Sequence, residues 1–209
     1  MSTLVTSSVR ITWSPAPDDG SSDITSYTIK ILQSDGATYT EDSTNCDGAD
    51  QDIMDNLYCD IPMTVFIASP YSLVEDDLIE VIVIATNAIG DSDESDVNTV
   101  GILVQTAPQT PTSAPTRNSA TTTSSITVDY AAVTQDGGST ILSYSLEWDQ
   151  GTNTWVSLIG ESVHSTSLQH QINTLDEGDS YKFRYRAYNV HGWSAYSAEA
   201  TILVATVPD

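Results

Sequence analysis

Three cations and two aromatic residues close to the end of the chain have the spacing to act together. Lys182, Arg184 and Arg186 alternate with Phe183 and Tyr185, and Trp193-Ser194-Ala195-Tyr196-Ser197 follows one turn later. On a strand, alternation places all three charges on one face. Trp193 and Tyr196 are then within reach of the guanidinium groups, each cation and ring contact being worth about 0.5 to 2 kcal/mol. Such a set stiffens a sheet or presents a binding face.

Carboxylates form the other conspicuous clusters: Asp91-Ser92-Asp93-Glu94-Ser95-Asp96, Glu75-Asp76-Asp77, and Asp47, Asp50, Asp52 and Asp55. Hard oxygen ligands suit calcium, which makes Asp76, Asp77, Asp91, Asp93 and Asp96 candidate ligands. The EF-hand spacing is missing, with no Gly at the sixth position after Asp91 and no Glu at the twelfth. The competing reading is solvated loops that keep an acidic protein dispersed. His164, His170 and His191 are scattered without a third ligand at zinc spacing. No Gly-x-Ser-x-Gly elbow and no Gly-rich phosphate loop occurs, so an enzyme is not expected. Apart from candidate calcium, no cofactor is expected.

Composition narrows the partners. The 209 residues hold 29 Asp and Glu against 6 Lys and Arg, a formal charge of -23. Six bases cannot supply the patch that a nucleic-acid backbone or an anionic membrane requires. Hydrophobic residues at 39 %, with 4 Trp and 10 Tyr, argue against disorder. No apolar run nears the roughly 20 residues of a membrane-spanning helix. The first residues have neither the basic start nor the apolar stretch of a signal peptide, so a secreted protein would be represented here as a mature or excised piece. Ser and Thr make up roughly a quarter of the chain, a balance commoner outside cells. Cys46 and Cys59 lie in one Asp-rich stretch, where a disulfide staple is expected.

The periodicity is that of strands. Val9, Ile11 and Trp13 alternate with polar residues, as do Tyr27, Ile29 and Ile31, and comparable runs recur at Ile126 to Tyr130, Tyr144 to Trp148 and Tyr181 to Tyr188. No segment carries a helical stripe with caps. The chain also repeats itself. Val9 to Trp13 aligns with Ile126 to Tyr130 at an offset of 117, Ile79 to Asn87 with Tyr181 to Asn189 at 102, and Ile102 to Pro108 with Ile202 to Pro208 at 100. The change of offset implies 15 extra residues between Tyr27 and Ile79, read as one acidic insertion spanning both cysteines. Met1 aligns with Asn118, so the first copy is expected to have a truncated or missing first strand. The expected modules are residues 1–106 and 107–209, and acidity belongs chiefly to the first, with 19 acids and 2 bases against 10 and 4.

These residues resemble the fibronectin type III family: Trp13 or Tyr130 on the second strand, Tyr27 or Tyr144 on the third, Leu175 six residues before Tyr181, then Asn189, Gly192, Ser194 and Ser197. The resemblance implies an all-β chain of two tandem immunoglobulin-like sandwiches, each of seven strands, and no catalysis. Leu73 is followed by Ile79 where the family has a tyrosine, so its corner hydrogen bond is absent from the first copy. Lys182, Arg184, Arg186, Trp193 and Tyr196 resemble the tryptophan-arginine ladder of cytokine receptors.

Residues 106–116 interleave Thr, Ser and Pro, a composition of extended, O-glycosylated linkers; Thr110, Thr112, Ser113 and Thr116 are the candidate acceptors. No Asn-x-Ser/Thr sequon exists. The leading expectation is a non-enzymatic extracellular or cell-surface structural or adhesive segment. Its partner would be a protein, or another copy reached through an open sheet edge to give a filament. Two alternatives stand beside it, a ligand-binding receptor ectodomain and an accessory module of a secreted polysaccharide-degrading enzyme.

Overall fold

Apolar residues at every second position fix which side of each strand is buried. The computed structural model describes residues 1–206 and divides the chain into Met1–Gln105 and Thr106–Asp209. The first unit contains β1 (Ser2–Val5), β2 (Ser8–Thr12), β3 (Ile24–Leu32), β4 (Tyr39–Glu41), α1 (Gln51–Asn56), β5 (Tyr58–Pro62), α2 (Met63–Ile67) and β6 (Val81–Asn87). Antiparallel sheets in the orders β1-β2-β5 and β4-β3-β6 enclose Val9, Ile11, Ile29, Ile31 and Ile61. The second unit contains β7 (Thr116–Arg117), β8 (Ser125–Asp129), β9 (Ser143–Trp148), β10 (Val156–Ile159), β11 (Gln169–Asn173), β12 (Ser180–Asn189), β13 (Gly192–Trp193) and β14 (Ala200–Leu203). There β11-β8-β7 faces β10-β9-β12 with β13 and β14 on the outer edge of β12, around Ile126, Val128, Leu146, Phe183 and Tyr185.

The repeat is geometric as well as sequential. Tyr27 N donates to Gly48 O at 2.9 Å and Tyr144 N to Ser165 O at 2.7 Å, the same step along each chain. After β6 and β12 the chain advances about three residues for every two on its neighbour, because serine hydroxyls stand in for carbonyls. Ser92 and Ser95 accept from Ala85 N and Val83 N, and Ser194 and Ser197 accept from Ala187 N and Tyr185 N, all at 3.0 to 3.1 Å. This explains why those serines recur. It also explains why residues 92–95 form no regular strand in the first unit.

Several expectations change. The first strand of the first copy is present: β1 pairs with β2 over Ser2↔Ile11 to Val5↔Ser8. A tight connection at Thr6 and Ser7 replaces the longer one in the second copy, which displaced the alignment. The edge of β2 is therefore covered by the chain's own residues. The insertion is two insertions. Gly48 matches Ser165 at an offset of 117, Ile61 matches Ile172 at 111 through their pairing with Val9 and Ile126, and Ile79 matches Tyr181 at 102. Six extra residues thus precede Ile61 and nine follow it. The first piece forms α1, capped by Asp50, whose carboxylate accepts from Asp52 N and Ile53 N. The second carries α2 and is apolar rather than acidic, with Met63, Phe66 and Tyr71 buried in the core. Neither helix shows a stripe because each is shorter than two turns.

The module boundary falls one residue earlier than expected, since Thr106 N donates to Gly137 O at 2.8 Å within the second unit. Residues 106–116 are likewise not a free linker. Pro108, Pro111 and Pro115 are buried against that unit, leaving Thr110, Thr112, Ser113 and Thr116 exposed. The corner also differs from the family pattern in the second copy: the Tyr181 hydroxyl donates to the Asp179 carboxylate at 3.4 Å.

Candidate functional site

β12 places Phe183, Tyr185 and Ala187 in the core and turns Lys182, Arg184 and Arg186 outward. Arg184 is sandwiched between two rings, its guanidinium carbon 4.1 Å from the centre of Trp155 and 3.9 Å from that of Tyr196. Arg186 lies 4.5 Å from the other side of Tyr196 and 4.6 Å from Trp193. The order along the sheet is Trp155, Arg184, Tyr196, Arg186, Trp193. Lys182 is outside the stack and donates to Asn153 Oδ1 at 2.9 Å. Trp155 was not foreseen, because it comes from the β9–β10 turn, far along the chain from Arg184.

Two carboxylates complete the ladder. Glu147 of β9, directly opposite Arg184, accepts from Arg184 Nε at 2.9 Å and from the Tyr196 hydroxyl at 2.5 Å. Glu161 accepts from Arg186 at 2.7 Å. Arg186 Nε is buried without an acceptor among the described residues, so the flanking ring faces replace part of its hydration. Trp193 continues onto Tyr188 at 4.8 Å, and Tyr188 onto His164 at 5.0 Å.

Burial first, and then the hydrogen bond to Glu147, pushes the Tyr196 hydroxyl up to about 12. Burial raises Tyr71 and Tyr130 to about 12 as well. Their ordinary value is near 10, so the stability these groups contribute is complete below about pH 10 and lost as pH rises through about 12. A titration followed at 295 nm should show these three ionising only with alkaline unfolding, above the range of free tyrosine; ionisation of all ten in one step near pH 10 would contradict the burial.

Histidine works in the opposite direction. Burial lowers His170 and His191 from their ordinary range, so each favours the neutral form when folded. The folded state then binds fewer protons. Stability is present above about pH 6.5 and falls as pH drops below it. Denaturant midpoints between pH 7 and 5 should fall for the native chain and fall less steeply for His170→Gln.

The first unit has no counterpart of the ladder. The positions of Arg184, Arg186 and Glu147 are held by Ile82, Ile84 and Lys30, and Lys30 reaches Glu94, in the place of Tyr196, at 3.4 Å. On its other sheet Arg10 lies 3.8 Å from the ring centre of Tyr58 and donates twice to Asp60, at 2.7 and 2.8 Å. Arg117 donates to the carbonyls of Thr121 and Ala205. All 6 basic side chains therefore have partners within the chain.

The acidic clusters are not gathered. Asp91 accepts from the Thr86 hydroxyl at 2.7 Å and Asp77 from Val74 N at 2.8 Å, while Asp76 sits in a left-handed turn and Asp93 and Asp96 are exposed. Among the described residues no three His, Cys, Asp or Glu side chains converge as a metal site. Asp47 and Asp50 instead accept from nearby backbone N–H groups. Cys46 and Cys59 are bonded, with Cα atoms 5.3 Å apart.

Paired antiparallel sheets, repeated once and stabilised through their side-chain contacts, define an immunoglobulin-like sandwich module. Residues 110–202 match the family model of the fibronectin type III domain. Residues 110–202 thus carry a fibronectin type III domain, and the first unit repeats its strand order, registers and serine contacts. The chain is 37 % identical over 81 residues to the smooth-muscle myosin light chain kinase of Gallus gallus, spanning 38 % of this chain and 4 % of that protein's length. It is similar to domains A168-A170 from titin (19 % identity, 95 % of this chain, 58 % of that one, TM-score 0.49) and to the chicken CNTN1 FN1-FN3 domains (18 %, 96 %, 62 %, TM-score 0.38). Fibronectin type III domains are generally non-catalytic scaffolding modules. Among the described residues no helix is long and apolar enough to cross a membrane.

Proposed function

We propose that the chain is a structural or adhesive segment of an extracellular or cell-surface protein, in which each module is stapled against unfolding by a different device. The observation that carries this reading is the use made of its reactive groups. Arg184 and Arg186 are locked between rings and carboxylates, and both cysteines form one buried bridge. A buried bridge favours an oxidising compartment. The exposed Thr110, Thr112, Ser113 and Thr116 line a proline-anchored ridge open to O-linked sugars. No sequon offers an N-linked route.

The test is the intact mass of the protein isolated from its source, with and without reduction, and of its fragment spanning residues 106–117. The reading expects a gain of two hydrogens on reduction and hexose increments on that fragment. A chain recovered as two free thiols, without sugar, would place it with intracellular members of its class.

A further inference from the structure

The sheet β11-β8-β7 of the second unit ends on an open edge at β11. In an antiparallel pair, residues whose N–H and C=O face the partner strand alternate with residues whose groups face away. Tyr130 N donates to Leu168 O at 3.0 Å, which sets the phase, so His170 and Ile172 turn their backbone groups toward Val128 and Ile126. The far side of β8 agrees: Thr127, opposite Gln171, donates its N–H to Thr121 Oγ1 at 3.1 Å and accepts at its carbonyl from Asn118 N at 2.9 Å. Gln171 and Asn173 therefore aim N–H and C=O out of the sheet, where they meet no partner among the described residues. Gln169, the third outward residue, is held by the Ser167 hydroxyl, which donates to its carbonyl at 2.7 Å and accepts from its N–H at 3.3 Å.

Open edges invite pairing, and proteins blunt them with charge, proline, bulges or brevity. Three other edges of this chain carry such devices. β5 has Asp60 and Pro62, β10 breaks register between Ser157 and Ile159, and β4 is 3 residues long and ends in Glu41. β11 has none of them: Gln169-His170-Gln171-Ile172-Asn173 keeps a regular register, and residues 162–175 hold no Asp, Glu, Lys or Arg. The three strands of its sheet contain one acid and one base, Asp129 and Arg117, in a chain of charge -23. Asp129 is itself held by amides, with Asn118 Nδ2 donating to it at 2.5 Å and Gln169 Nε2 at 2.7 Å. A neutral edge on so acidic a chain is where two copies approach with least repulsion.

We propose that β11 pairs antiparallel with β11 of a second copy of this chain, around a two-fold axis at Gln171. The strand is self-complementary in that register. Gln171 exchanges both backbone bonds with Gln171 of the second copy, and Asn173 donates to the Gln169 carbonyl on each side, about four bonds in all. His170 and Ile172, half-buried on the inner face, stand opposite each other, and the exposed Gln171 amides meet on the outer face. A symmetric pair sets like against like at its centre, which is repulsive for a charged side chain and favourable for an amide that both donates and accepts. The contact is isologous and closes on itself, so it makes a dimer and not a filament. It is smaller than a standard interface, and dissociation near about 1 mM is expected.

The test is sedimentation of the full chain from micromolar to millimolar concentration, for the native protein and for Gln171→Lys and Gln171→Glu. The Gln171 side chain is exposed, so both variants should fold as the native chain does. The native chain should form a dimer reversibly. Each variant alone should associate roughly tenfold more weakly, since two like charges then face each other across the axis. Mixed in equal amounts, the two variants should regain native association or exceed it, because Lys then faces Glu. Hydrogen exchange locates the contact: the Gln171 and Asn173 amides should gain protection as concentration rises, while those of His170 and Ile172, bonded within the sheet, are protected throughout. A native chain that stays monomeric would leave the edge to a strand of another protein and overturn the proposal. Variants that associate as the native chain does, or a mixture no stronger than its components, would overturn it equally. The proposal goes beyond the structural reading, whose mass measurement stands or fails separately.

Discussion

Replacing Arg184 by methionine should cost the second unit about 3 kcal/mol while leaving the first unchanged, because it strands Glu147 without its partner. The Glu147 side chain is only 9 % exposed and the Arg184 side chain 24 %. Breaking a buried pair costs roughly 3 to 5 kcal/mol, whereas replacing both members by neutral groups is often nearly neutral. Partial exposure of Arg184 puts the estimate at about the lower end of that range. Arg184→Met should therefore lower the midpoint of the second unit by roughly 15 °C, at about 4 to 8 °C per kcal/mol for a domain near 100 residues. Adding Glu147→Gln should restore at least half of the loss, since Tyr196 keeps an acceptor and no charge remains buried. Calorimetry of the two single variants and the double variant measures the coupling directly. If the single effects simply added, the ladder would be a row of separate contacts and not one bonded unit.

The second large effect belongs to the first unit. Cys46 and Cys59 are 13 positions apart, and closing a loop of this size is worth about 3 kcal/mol in the chain-entropy account. Cys59 faces Ile11 across β2 and β5, so the bridge ties the acidic turn before α1 to the edge strand of a sheet. Reduction frees a stretch rich in aspartates, whose mutual repulsion no longer meets a fixed anchor. The Cys46→Ala/Cys59→Ala chain should lose about 3 kcal/mol from the first transition only. It should recover part of that loss in high salt, as screening weakens the repulsion. Both cysteines are buried, so mild reductant should act on the native chain only as fast as the first unit opens. Equal destabilisation of both transitions would contradict this division of roles.

The parts of this structure legible in the sequence were those written locally. Period-two alternation marked β2, β3, β8, β9 and β12, and the repeat carried the module count, because the same packing problem was solved twice with the same residues. Lys182, Arg184 and Arg186 could be placed on one face from alternation alone. That Lys182 drops out and Trp155 enters depends on how β9 and β10 turn back beside β12, which no spacing records. The strand β1 was hidden by a shorter hairpin, a change of two residues that moves the pairing partner without changing its chemistry. The nine residues around α2 were read together with the acidic ones, since an offset counts residues but not where they go. Met63, Phe66 and Tyr71 give the missing signal, an apolar set in a stretch treated as polar. The prolines at 108, 111 and 115 suggested an extended segment but not its seat, which is set by Gly137 and Asn189 far along the chain.

The central claim is that two modules of one fold are held by different staples, a cystine in the first and a cation and aromatic ladder in the second. Single-molecule extension of the chain between handles tests it directly. Two rips are expected, one of which lengthens by about 40 Å on reduction, as the 13-residue loop is released at roughly 3.4 Å per residue. Arg184→Met should lower the force of the other rip alone. A single rip for the whole chain, or a ladder variant that weakens the cystine-dependent rip, would contradict the account.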